Sequence, residues 1–296
     1  MRGVLGYNNP MNITLIQSPY DSGYYGLRMG RGPLHLVERG ASDWLRQQGH
    51  EVDLVPIRLR DGFNTEVGSA LAIQRQVAVL AASARGEGRL PLLLAGNCNA
   101  SLGLLAGVGP SATGLVWLDA HGDFNTPETT ISGYFDGMAL AMIAGLCWRE
   151  LAASVPGFCP LEAQDIVLVG ARDLDPGEGA LLDQHRIARF GAQELRQEGA
   201  QSVLSRVFAP LRSRLSRLVV HVDLDVLDRE TARVNQYSSA GGLTVKETLD
   251  ILDWLTGRFE IAGLALSAYD PDADEGDRVL SAAQRILTSF SGNLNG

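Results

Sequence analysis

Asp119, His121 and Asp123 occupy alternate positions of the run DAHGD, and Asp223 and Asp225 repeat that spacing in DLD. Alternate side chains of a strand leave on one face, so a strand continuing past Asp119 would present all three together. Four carboxylates brought together without a lysine or arginine between them repel one another, and a divalent cation is the economical neutraliser. Carboxylates with one imidazole favour Mn(II) among the common choices. A carboxylate shared between two ions would permit a binuclear site with the ions roughly 3.5–4 Å apart. DLDVLD does not fit a calcium loop, which needs glycine at its sixth position and a distal glutamate; here Asp228 closes the run. His221 lies inside an apolar run and reads as a packed core residue, whereas His121 is flanked by two aspartates at ligand spacing.

These residues need a scaffold that brings distant segments together. Short apolar, β-branched runs at Asn12–Gln17, Val52–Pro56, Pro91–Ala95, Gly114–Asp119, Asp165–Gly170, Leu218–Asp223 and Ile261–Ser267 predict strands. Helical spacing of apolar positions predicts helices over Leu34–Gln48, Glu66–Ala84, Gly137–Ala153, Ala200–Leu215 and Val245–Leu255. Glycine-rich Gly86–Gly88 and Gly107–Gly109 read as loops. This alternation predicts an α/β fold: a single three-layer domain, with a mainly parallel sheet of about eight strands covered by helices on both faces. No repeat or linker interrupts it, so residues 1–11 are assigned to an N-terminal tail and 12–296 to one catalytic domain. In such a sheet chemistry gathers at the carboxyl ends of the strands. There the sequence places GNCNAS, DAHGDFNTPETTISG, GARDLDPGE and DLDVLD.

Composition narrows the partners. A formal charge of −9, with lysine present once at Lys246, disfavours nucleic acid and anionic membrane surfaces. Apolar runs such as Leu218–Val222 are strand-sized, well short of the roughly 20 residues of a membrane helix. The N-terminal segment has no secretory pattern, so a cytoplasmic location is expected. Cys98, Cys147 and Cys159 are too few for a disulfide framework, and the last two have no ligand-type neighbours.

DAHGDFNT with Ser132-Gly133 after it, then DLDVLD, then GGLT at Gly241–Thr244, resemble the signature of the arginase (ureohydrolase) family in order and separation. GLRMGRGP at Gly26–Pro33 resembles the family's early glycine-rich loop. The resemblance implies an arginase-like fold, two Mn(II) ions, a small amino-acid substrate, and leaves a homo-oligomer possible. It implies that Asp119 and Asp223 bridge the two ions, that Asp123 joins the first, and that His121 and Asp225 complete the second. It also places Asn125 and Ser132 where the family accepts an α-carboxylate, and Asp175 and Glu178 where it meets an α-ammonium. Amide and hydroxyl donors suit a carboxylate and acids suit an ammonium, although Pro-Gly-Glu also fits a helix start.

Three departures bear on the substrate. Where the family reads GGDHS with a histidine ligand to the first metal, Ala95–Asn99 reads AGNCN, which puts Cys98 at the ligand position. Four aspartates and a thiolate against two divalent ions leave a net charge of −1, where a histidine would leave zero. The first metal should then be a weaker Lewis acid, suited to a more reactive guanidine. The hydroxyarginine-hydrolysing branch is similar in having cysteine there. Asp136, in SGYFDG, replaces the histidine of SGNxHG and is expected to relay protons alongside Asp123. Ala268 replaces the guanidinium-facing glutamate, unless Asp270 takes its place. The implied activity is hydrolysis of an arginine-like amino acid, N-omega-hydroxy-L-arginine before L-arginine. The alternatives are a formiminoglutamate- or agmatine-type hydrolase and a catalytically silent amino-acid sensor.

Overall fold

The computed structural model describes residues 10–60 and 62–292; the rest of the expected tail, residues 1–9, lies outside them, as do 293–296. The strands are β1 Asn12–Ser18, β2 Tyr20–Asp21, β3 Tyr24–Tyr25, β4 Glu51–Pro56, β5 Leu90–Ala95, β6 Thr113–Leu118, β7 Ile166–Val169, β8 Ala188–Phe190, β9 Arg217–Asp223 and β10 Glu260–Ser267. The helices are α1 Arg31–Glu38, α2 Ala41–Gln47, α3 Glu66–Gly86, α4 Ser101–Val108, α5 Ala139–Ile143, α6 Arg149–Ala153, α7 Pro176–Gln184, α8 Ala192–Glu198, α9 Ala200–Arg212, α10 Val245–Thr256 and α11 Arg278–Gly292. Eight strands form one parallel sheet in the order β4-β1-β5-β10-β9-β6-β7-β8, while β2 and β3 form a separate small antiparallel ribbon. The α/β expectation is met in its sheet, its strand number and its layering.

Alternation along the strands explains the layers. Leu92 and Leu94 of β5, Val116 and Leu118 of β6, and Val220 and Val222 of β9 join a core shared with α1, α2 and α8–α11. Their neighbours Leu93, Leu115, Trp117 and Val219 face a second core built with α3–α7. Both sheet faces are therefore buried, which is why these strands read as continuous apolar runs rather than as alternating ones.

The chain runs outward from β1 to the edge strand β4, returns to β5, and then skips two sheet positions to reach β6. Those two positions are filled last, by β9 and β10. The central strands β5, β10, β9 and β6 thus come from four distant segments, and their carboxyl ends converge on one point.

Several elements depart from the sequence expectation. The helix expected over Leu34–Gln48 breaks at Gly40, whose φ of +104° is accessible to glycine without strain. The one expected over Gly137–Ala153 is divided by Gly145 and Trp148, both at positive φ. Gly107 is no loop residue. It lies in α4, where with Gly103 it forms the contact surface for α3: a Cβ would stand 2.3 Å from the Gln74 carbonyl oxygen at Gly103 and 2.4 Å from that of Ala78 at Gly107. Glycine there permits backbone contact between helices, a use that sequence alone does not distinguish from a turn. At 21 residues α3 reaches membrane-spanning length, but half of its apolar window is buried in the fold and it carries Arg75 and Arg85. It is a core helix.

The GGLT motif starts α10 with a capping box: Thr244 Oγ1 accepts from the Glu247 amide at 3.1 Å, and Glu247 Oε2 accepts from the Thr244 amide at 2.8 Å. Arg196 donates two hydrogen bonds to the same carboxylate, holding its pKa down to about 2. A depressed carboxylate stabilises the fold fully above its unfolded pKa of about 4.3 and ceases to do so as pH falls toward about 2. Glu247→Gln should cost about 1 kcal/mol near neutral pH, roughly 2–4 °C in Tm. The Tm gap from the parent should close in acid; a gap independent of pH would show that the ion pair contributes nothing.

Candidate metal centre

At the convergence point Asp119 follows β6, Asp223 ends β9, Ser267 ends β10 and Cys98 follows β5. The register pairs Leu118 with Val222 and Ser267 with Asp223, which brings the acids together across neighbouring strands. One layer deeper, Trp117 pairs with His221 on the same face.

The extension of β6 past Asp119 does not occur. The strand stops at Leu118, and the following loop turns back on itself, reaching a φ of +47° at Asp123. Side-chain acceptors fold this loop: Asp119 Oδ1 accepts from the His121 amide at 2.7 Å, and Asp225 Oδ1 accepts from the Ala120 amide at 3.3 Å. Loop curvature, not strand alternation, delivers His121 and Asp123 to the site.

Two groups of ligand-type atoms result, each with all its members within 4.8 Å of one another: Cys98, Asp119, His221 and Asp223, and Asp119, His121 and Asp225. Asp119 belongs to both. Asp123 stands outside these groups, yet its Oδ2 is buried without a hydrogen-bond partner and its residue lines the same cavity. Burial, then mutual repulsion, raises the carboxyl pKa values of Asp123 and Asp223, and burial chiefly raises that of Asp119. Burial opposes the charged His121 imidazole, but Asp225 and then Asp119 lift its pKa to about 10. Clustered acids desolvated at this cost, an orphaned carboxylate oxygen and a thiol among them fit a divalent-cation site.

One arginine does approach. Arg172, after β7, donates to the backbone carbonyls of Gly170, Asp225, Val226, Leu227, Ser239 and Ala240, so its charge supports the DLDVLD loop from behind. Gly242 of GGLT makes room for it, since a Cβ would lie 2.6 Å from Arg172 Nη2.

Asp136 lines the same cavity and has a structural task as well. Its Oδ1 accepts from the Asn99 amide and Asn99 Nδ2, both at 2.7 Å, and its Oδ2 accepts from Asn97 Nδ2 at 2.9 Å and the Cys98 amide at 3.0 Å. Four donors on one buried carboxylate make it the anchor of the loop that carries Cys98, and burial still lifts its pKa to about 7.

The cavity above the acids measures about 320 Å³. Asn125, Ser132, Asp175 and Glu178 all lie on its wall. Asn125 Nδ2 donates to Asp175 Oδ2 at 3.0 Å, so the two head-group candidates already pair. Glu178 is buried, closing the α7 capping box with Asp175 and accepting from the Phe124 amide at 2.9 Å. Ala268 is on the wall and Asp270 is not; Asp270 turns to its own loop and accepts from the Asp272 amide, so it does not replace the missing glutamate.

Sequence reasoning missed several wall residues: Asp173, Asn235, and the aromatic pair Tyr134 and Tyr237, whose rings stack 6.0 Å apart. Asn235 donates to both Asp225 Oδ2 and the Ala268 carbonyl. SGYFDG in place of SGNxHG was the one available signal for Tyr134. His221 is core, as expected, with its pKa lowered by burial to about 3, but it also sits beneath the acids.

A three-layer parallel α/β domain with a buried acidic centre at its strand ends defines a class of candidate metallohydrolases. The arginase family model matches residues 11–292, and the chain belongs to the arginase family, whose members hydrolyse amidino groups. Human arginase-1 is 30% identical, with 95% of this chain and 92% of that protein covered. The arginase of Bacillus caldovelox is 29% identical, covering 95% and 98%. The crystal structure of Bacillus cereus arginase superposes with a TM-score of 0.84 at 27% identity, covering 95% of this chain and 98% of that one.

Proposed function

We propose that this chain is a binuclear manganese enzyme that hydrolyses the guanidine of an arginine-like amino acid, with N-omega-hydroxy-L-arginine preferred to L-arginine. One observation carries the preference: Cys98 Sγ is aimed at Asp223 Oδ2, 3.0 Å away, inside the first ligand group. The thiol donates a proton that a cation would displace, and a thiol beside a divalent ion ionises. Ala268 supports the same reading, because its methyl group offers a guanidinium cation no carboxylate at that position of the wall.

Cys98, Asp119, Asp123 and Asp223 would hold one ion, and Asp119, His121, Asp223 and Asp225 the other. When bound, the ions supply Lewis-acid activation of water and substrate. Asp123, with its free Oδ2, accepts the proton of the attacking water and returns it to the departing amine. Asp136 holds the Cys98 loop and lines the same cavity, which makes it the second group that can return this proton. Asn125 and Ser132 receive the α-carboxylate, and Asp175 receives the α-ammonium. Water is consumed, and ornithine leaves with hydroxyurea, or with urea when arginine is the substrate.

The test is to incubate manganese-loaded protein with hydroxyarginine, arginine, agmatine and formiminoglutamate and to identify the products. Ornithine and hydroxyurea should form fastest. Turnover of arginine ahead of hydroxyarginine would overturn the preference, and glutamate release from formiminoglutamate ahead of both would overturn the substrate class.

A further inference from the structure

Behind the Cys98 sulfur lies a chain of buried polar groups that the proposed reaction does not use. Cys98 Sγ is 3.3 Å from Ser267 Oγ, Ser267 Oγ is 3.3 Å from His221 Nε2, and His221 Nδ1 is 2.8 Å from Ser101 Oγ. Ser101, His221 and Ser267 are each at most 1% exposed. The imidazole lies flat on Trp117, ring centroids 3.6 Å apart, and Trp117 Nε1 in turn donates to Asp119 Oδ2 at 3.0 Å. With both ring nitrogens engaged by hydroxyls and its plane fixed, His221 is poorly placed to turn toward a metal.

Hydrogen-bond direction follows from counting protons. A neutral imidazole has one N–H, and each hydroxyl or thiol donates once. Cys98 gives its proton to Asp223 Oδ2, so its sulfur is left as an acceptor toward Ser267. Ser267 then spends its proton on the sulfur and must receive one from His221 Nε2, and His221 Nδ1 must accept from Ser101. All donors point the same way, Ser101 to His221 to Ser267 to Cys98, and no group is left unpaired.

We infer that Ser267 and His221 are positioning residues for the Cys98 thiolate: Ser267 donates a fixed hydrogen bond to the sulfur, and His221 fixes the direction of that hydroxyl. The inference rests on the proposal that Cys98 is a metal ligand. Replacing the thiol proton with a metal leaves the chain unaltered, because Ser267 already donates to sulfur. The hydrogen bond also draws electron density from a thiolate that, among the described residues, has no cationic side chain hydrogen-bonded to it, which offsets part of the added charge of a cysteine ligand. A carboxylate-rich site can thereby take a sulfur ligand without moving its acids.

Cobalt(II) in place of manganese tests this through the thiolate-to-cobalt charge-transfer band, with metal affinity measured by chelator competition. The parent protein should show the band. Ser267→Ala should move it to longer wavelength and weaken binding at that site on the order of 10- to 100-fold, the usual cost of losing an outer-shell partner. His221→Phe, which retains a ring for Trp117, should do the same, and Ser267→Thr should restore parent behaviour. Absence of the band in the parent would refute the Cys98 ligand and the inference with it. A parental band whose position and affinity survive in Ser267→Ala would refute the inference alone, as would loss of the metal in His221→Phe but not in Ser267→Ala, which would make the imidazole a ligand.

Discussion

Replacing Asp119 with alanine should empty both metal positions, because its carboxylate belongs to both ligand groups. The parent, reconstituted with manganese, should carry close to two ions per chain. Asp225→Ala should retain about one, since Asp225 belongs to the second group only. Loss of an inner carboxylate should weaken binding by more than the roughly 100-fold that outer-shell changes cost, and activity should fall with occupancy. In apo protein Asp119→Ala relieves repulsion among buried acids but leaves the His121 amide and Trp117 Nε1 without their acceptor, so metal content is to be compared on a variant shown to be folded by circular dichroism. Elemental analysis decides the matter: one retained ion in Asp119→Ala would show that the two groups do not share this ligand, and no stoichiometric metal in the parent would remove the binuclear reading.

Asp175→Asn should lower kcat/KM for amino-acid substrates by roughly ten- to a hundredfold, the equivalent of about 1.5–3 kcal/mol for one charge-assisted hydrogen bond. Metal content should not change. The structure separates this residue from its neighbour Glu178. Glu178 is buried in the capping box and accepts from the Phe124 amide, one residue from Asp123, so Glu178→Gln should lower stability and disturb the metal loop as well as binding. Agmatine has no α-carboxylate and should be a poor substrate, little affected by changes at Asn125 or Ser132. Faster turnover of agmatine than of either amino acid would show that the head group is not what this cavity recognises.

The α/β class, the sheet and its central strands were legible because strands buried on both faces are unbroken apolar runs, and nothing in the chain masks them. Helix boundaries were less so. Gly40 and Gly107 are the same residue type, yet one ends a helix at positive φ and the other lets α4 pack against α3, a difference set by the partner and not by the local sequence. The short edge strand β8 and the ribbon of β2 and β3 left too few residues to show a period.

The acids of the centre were likewise visible in DAHGD and DLD, since few other patterns concentrate carboxylates at strand ends. How they meet was not. Spacing suggested a strand where the chain forms a loop, and only the skipped sheet positions, filled later by β9 and β10, bring Asp223 and Ser267 beside Asp119 and Cys98. Asp136 illustrates the same limit: its sequence position suggested proton transfer but gave no sign of the four donors by which it also anchors the Cys98 loop. The sequence by itself determined which chemical groups are present and at which strand ends. Tertiary structure alone decided which of them share a ligand, which are consumed in holding loops and which stand behind the sulfur, because those roles depend on contacts between residues from 37 to 169 positions apart.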